Sequence, residues 1–182
     1  MTHPRLKETH LQTRTRTDSD EPTPNGFSVL SQALILTLLL LMPSTALAQS
    51  PEGTVQYRQN LMSAIGSDMG AIGDILKFRL PLTGNIQTHA SNIASNAGLI
   101  SSAFKAQVAE GATDSKPEIW QDWAHFERDI AKLQKAANQL SETVAQGGDG
   151  AAIGANVKVL GKTCGGCHKE FRKPKEESYK TK

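Results

Sequence analysis

Four stretches of the chain carry apolar side chains at alternating spacings of three and four, the interval that keeps one face of an α-helix apolar. The first runs through Leu61, Met62, Ile65, Met69, Ile72 and Leu76 and is predicted to end near Pro81. The second runs through Ile86, Ile93, Ala97, Ile100, Phe104 and Val108 and stops near Gly111. The third is the most regular: Ile119, Trp123, Phe126, Ile130, Leu133, Ala137, Leu140 and Val144. It opens at Ser115-Lys116-Pro117-Glu118, where Pro117 suits a first helical turn, and closes at Gly147-Gly148. The fourth runs through Ile153, Val157, Leu160, Cys164, Cys167 and Phe171, with Pro174 placed to break it. No stretch alternates with the period of two that marks strands. Four helices with short links predict an all-α fold, an antiparallel up-down-up-down four-helix bundle.

The fourth stripe also carries chemistry. Cys164-Gly165-Gly166-Cys167-His168 is a C-x-x-C-H motif, the signature of covalent c-type haem attachment. Two thiols add to the two vinyl groups of a porphyrin, and the neighbouring imidazole binds the iron on the proximal side. On a helix these three side chains share one face, and the two glycines let the porphyrin edge approach the backbone. Cys164 and Cys167 are the only cysteines in the chain, so no second pair completes a tetrahedral zinc site. A thioredoxin-like redox pair would need a βαβ context that is absent, and a disulfide here would close a very small loop and leave His168 unexplained. Because both cysteines are in register with the apolar stripe, the haem is expected inside the bundle, with one haem c as the cofactor.

Ahead of the bundle, residues 1 to 28 are polar and without apolar periodicity. An apolar run from Ala33 to Met42 follows, then Pro43 and Ala46-Leu47-Ala48. This is the hydrophobic core and A-x-A cleavage site of a secretory signal peptide, so residues 1–48 are expected to be removed and 49–182 to form the mature domain. The run, about ten to fourteen apolar residues, is short of the ~20 needed to span a bilayer, and no membrane span is expected after cleavage. One departure from the usual leader is that its nearest basic residue is Arg16, with Asp18, Asp20 and Glu21 in between. Export places the protein in the periplasm.

The whole chain has a formal charge of +2, and the leader's four basic and four acidic residues leave that value unchanged. Nothing supports nucleic-acid binding. Lys169, Arg172, Lys173, Lys175, Lys180 and Lys182 cluster late in the chain and read as a solvated helix end, with docking of an acidic redox partner as the sharper alternative.

A four-helix bundle with one C-x-x-C-H on its last helix resembles the class II cytochromes c, that is, cytochrome c-prime and its low-spin, methionine-ligated relatives. The resemblance is carried by Tyr57-Arg58-Gln59, Met62 and Met69-Gly70 on the first helix, by Pro117-Glu118-Ile119-Trp120 with Phe126, and by Cys164-x-x-Cys167-His168-x-x-x-Arg172. It implies that His168 is the proximal ligand, that Arg172 lies beside it, and that Arg58 pairs with a haem propionate. It also places Met62 on the distal side of the iron. There a methionine binds iron in the low-spin branch, whereas the sixth site stays empty in cytochrome c-prime. On spacing alone Met62 is equally a core residue; the similarity of Leu61-Met62-x-x-x-Gly66-x-x-Met69 to the low-spin branch makes it the expected sixth ligand. Met69 is assigned to packing, as are Tyr57, Trp120 and Trp123, and His89 and His125 to surface or satisfied polar positions.

The function expected from this is a periplasmic monohaem electron carrier that exchanges single electrons with redox partner proteins and is not an enzyme. The alternative is a five-coordinate cytochrome c-prime that binds nitric oxide or carbon monoxide. The resemblance also raises a homodimer through the first two helices, which the small polar side chains Ser91, Asn92, Ser95, Asn96, Ser101 and Ser102 neither require nor exclude.

Overall fold

Caps and turns set several of the helix ends. In the computed structural model, which describes residues 50–181, the first helix, α1, spans Pro51–Lys77. The Ser50 hydroxyl accepts the Gly53 N–H at 3.2 Å and Glu52 lies in the first turn, so one orphan donor is satisfied and a negative charge meets the helix dipole. The predicted leader, residues 1–48, lies outside the described residues. α1 closes at Lys77 rather than near Pro81, because Arg79 adopts a left-handed conformation with φ of 52°. That turn lets the Leu80 N–H reach the Ile75 carbonyl at 3.0 Å and the Arg79 N–H reach Leu76 at 3.3 Å, which is a Schellman closure.

α2 spans Asn85–Phe104 and stops short of Val108. The expected third helix is in two pieces, α3 (Glu118–Gln121) and α4 (Trp123–Ala145), parted at Asp122 with φ −125° and ψ 60°. The Asp122 carboxylate accepts the His125 N–H at 3.1 Å, so this residue acts as an N-cap where the apolar pattern reads straight through. α4 ends at Ala145, and beyond its cap Gln146 the chain turns at Gly147, φ 73°, followed by Gly148. A side chain at Gly148 would stand 2.6 Å from Thr143 Cγ2, so the turn requires glycine there. α5 spans Gly150–Phe171, with the Asp149 carboxylate accepting the Ala152 N–H at 2.7 Å.

The four long helices form the four-helix bundle. α1 packs on α2, α2 on α4 and α4 on α5, whereas α1 and α5 barely touch. The core between them is aliphatic, with Ile72, Ile86, Ile93, Leu140, Ile153 and Leu160 fully buried. At one end an aromatic chain ties α2, α4 and α5 together: ring centroids lie 5.3 Å apart for Phe104–Phe126 and 5.2 Å for Phe126–Phe171. Trp120 and Trp123 pack against this core, but Tyr57, expected to pack around it, is 49% exposed on the outside of α1. Among the described residues there is no strand beyond one isolated bridge, Ser115 to Arg172, and no helix is long and apolar enough to cross a membrane.

Candidate functional site

The gap between α1 and α5 is a cavity of about 480 Å³, within the range of cofactor pockets. α1 supplies Val55, Arg58, Met62, Ile65 and Met69 to its wall, and α5 supplies Cys164, Cys167, His168 and Phe171. Arg172, just past the end of α5, completes the set, so all six residues singled out from the sequence line this one cavity. Away from the aromatic end, α1 and α5 do approach. A Cβ at Gly161 would meet Met69 Cε at 3.8 Å, so Met69 packs against α5, as expected of a core methionine.

Burial sets the protonation of the attachment motif. It pushes the Cys167 thiol up to about 12, with the nearby Asp129 carboxylate adding to the rise and Lys132 opposing it. Cys164 is raised for the same first reason, with the Thr163 hydroxyl pulling the other way. His168 is lowered by burial and then by the positive charge of Arg172. Both thiols are therefore kept protonated and the imidazole neutral, and neutral imidazole is the form that can donate to a metal.

Arg58 departs from its expected surroundings. It is 3% exposed, and its guanidinium lies 4.6 Å over the Phe104 ring and 5.4 Å over the Trp120 ring. Nε donates to the Ala103 carbonyl at 2.9 Å, Nη1 to Val108 at 2.8 Å, and Nη2 to Ala106. Three of its five N–H groups thus hold the chain as it leaves α2, which is why α2 ends at Phe104. Only the remaining two could face a haem carboxylate.

Two functional-site residues escaped the sequence reading. Asp129, on α4, is 8% exposed and lines the cavity. Lys132 Nζ donates to it at 2.7 Å, and His125 Nε2 lies 3.6 Å away. The signal for it was a carboxylate in register with Phe126 and Leu133. Asp114, in the loop before α3, lines the cavity from the other side and was not flagged by any periodicity. The two histidines set aside are accounted for: His89 Nδ1 is 2.8 Å from Asp68, and His125 stands between Asp122 and Asp129 against the Phe171 ring.

A flat apolar macrocycle fits this space. The wall is mostly apolar, two thiols and an imidazole at i, i+3 and i+4 enter from one helix, and the soft thioether of Met62 enters from the other. A family model described as Cytochrome C' matches residues 53–172. The chain belongs to the cytochrome c' family. Its cofactor is one covalent haem c. The chain is 38% identical to a cytochrome c' of Rhodospirillum rubrum over 79% of its own length and 99% of the relative's. It is 30% identical to a cytochrome c-556 of Agrobacterium tumefaciens over 66% of its own length and 97% of that protein's. Among solved structures, cytochrome c prime from Shewanella frigidimarina superposes with a TM-score of 0.63 at 29% identity, covering 69% of this chain and 98% of that one. A nitric oxide complex of a cytochrome c prime variant from Alcaligenes xylosoxidans does so at 0.62 and 29%, covering 70% and 98%.

Proposed function

We propose that this member of the cytochrome c' family is a periplasmic monohaem cytochrome that carries single electrons. Cys164 and Cys167 hold the haem as thioethers, His168 is the proximal ligand and Met62 the sixth. The observation that supports this most is the cavity itself, lined by the attachment motif from α5 and by Met62 from α1. The haem supplies a one-electron Fe(III)/Fe(II) couple. The chain does the rest. Val55, Ile65, Phe104, Phe126 and Phe171 keep water from the macrocycle, and two helices that barely touch need little rearrangement to hold a ligand between them. The neutral His168 is in the form that would donate to the iron, and the Met62 thioether as second ligand would favour the ferrous state. The signal peptide read in residues 1–48 supports the periplasm.

A second reading is favoured by the relatives. Several are cytochromes c', and solved structures of variants of the Alcaligenes xylosoxidans protein hold nitric oxide or carbon monoxide. In that reading Met62, half-buried on α1, stays off the iron and the distal side is open to such gases. Absorption spectra of the purified oxidised and reduced protein separate the two. Low-spin spectra that turn high-spin in Met62→Leu support the carrier. High-spin spectra in the parent, unchanged by Met62→Leu, overturn it in favour of the gas binder. The swap roughly conserves volume, so packing should change by less than about 1.5 kcal/mol.

A further inference from the structure

The family match ends at Arg172, but the chain continues across the cavity. Two short 3-10 turns, Lys175–Glu177 and Tyr179–Thr181, fold back over the loop that precedes α3. Asp114 anchors them. Its Oδ2 accepts the Ser178 hydroxyl at 3.0 Å and its Oδ1 accepts the Tyr179 N–H at 3.0 Å. The Lys173 N–H donates to the Asp114 carbonyl at 2.8 Å, and Lys173 Nζ to the Thr113 carbonyl at 3.1 Å. Ser178 is 6% exposed as a result. Held this way, Tyr179 and Lys180 become part of the cavity wall.

The carboxylates of a haem must find water or cations when the macrocycle is buried. Besides the motif's histidine, three cationic residues line the cavity: Arg58, Arg172 and Lys180. Arg58 has three of its N–H groups on the carbonyls of Ala103, Ala106 and Val108. Arg172 already faces Asp114 at 3.9 Å. Lys180 has no carboxylate within 4.0 Å among the described residues, and its Nζ rests 5.7 Å from the centre of the Tyr179 ring. We infer that residues 174–181 form a strap that closes the cavity and presents Lys180 as the counter-ion of a haem carboxylate. This rests on the reading of the cavity as the haem site.

The test uses the haem-bearing protein and its midpoint potential, measured at low and at high salt, for the parent, Lys180→Gln, Lys180→Arg and a chain ending at Lys173. A carboxylate stripped of its cation is a fuller negative charge and favours ferric iron. Lys180→Gln should therefore cut the ferrous-to-ferric ratio at a fixed poise about threefold, a drop of ~28 mV at 59 mV per tenfold change. The shortened chain should fall at least as far, Lys180→Arg should match the parent, and high salt should shrink the differences. Lys180 is exposed and beyond the bundle, so these variants should fold as the parent does. Potentials that ignore both Lys180→Gln and the shortening would overturn the strap and leave the haem site standing. A parent without covalent haem would overturn both.

Discussion

Replacing Arg58 by Met keeps most of the side-chain volume and removes the fork that holds the chain beyond α2. The consequence follows from three carbonyls. The bond from Nε to Ala103 is fully buried, and an orphaned buried acceptor costs about 1–3 kcal/mol. The bonds to Ala106 and Val108 are partly buried, so water can replace the donors and each loss is nearer ~0.5–1.5 kcal/mol. The stacking over Phe104 and Trp120 loses its charge but keeps its contact area. Together the substitution should cost roughly 2–6 kcal/mol, which for a domain of this size lowers the melting temperature by roughly 8–24 °C. Thermal unfolding of the haem-bearing protein, followed by far-ultraviolet circular dichroism, reads this directly. Arg58→Lys, with a single cationic centre in place of the planar fork, should fall between parent and Met. A loss under about 1 kcal/mol in Arg58→Met would refute the reasoning, because the three carbonyls would then be satisfied without the guanidinium.

Other expectations follow from the same geometry. With Cys167 moved from its ordinary 9.0 to about 12, its thiolate fraction in the folded, haem-free chain at pH 8 should be roughly a thousandfold below that of the unfolded chain. Alkylation of Cys167 by iodoacetamide should be slow until denaturant is added, and equal rates in both states would contradict its burial. The sign of the pH effect is also set: a thiol raised on folding contributes stability that is full below pH 9.0 and is lost as pH rises toward about 12. His168 acts at the other end. Its folded-state value is depressed, so the haem-free chain should lose stability as pH falls below the ordinary histidine value of 6.5, and replacing His168 by Gln should flatten that limb of a urea-unfolding series. Asp122→Ala removes the cap that starts α4 and should cost ~0.5–2 kcal/mol in the same unfolding measurement.

The parts legible in the sequence were those with a repeating or a chemical signal. The four stripes predicted four helices because burial repeats every three or four residues, and Ile72, Ile86, Leu140 and Leu160 are indeed fully buried. The C-x-x-C-H motif was legible because its spacing is dictated by the porphyrin. What periodicity could not show was local competition for the backbone. Asp122 sits inside an unbroken apolar pattern yet caps instead of continuing the helix. Arg79 takes a left-handed turn that glycine more often occupies. Arg58 was matched to a haem carboxylate by resemblance, whereas its buried fork turns to the end of α2, a partner 45 to 50 residues away that no local pattern encodes. Asp114 and the strap it holds were missed for the same reason, since their link spans 64 and 65 residues.

The central claim is that one haem is bound covalently through Cys164 and Cys167 in the cavity between α1 and α5. Its most direct test is the intact mass, under denaturing conditions, of protein produced in a periplasm with the haem-attachment machinery. The account predicts a chain beginning near Gln49 that carries the mass of one haem, and loss of that added mass when both cysteines are replaced by alanine. A parent whose mass equals the bare polypeptide would contradict it.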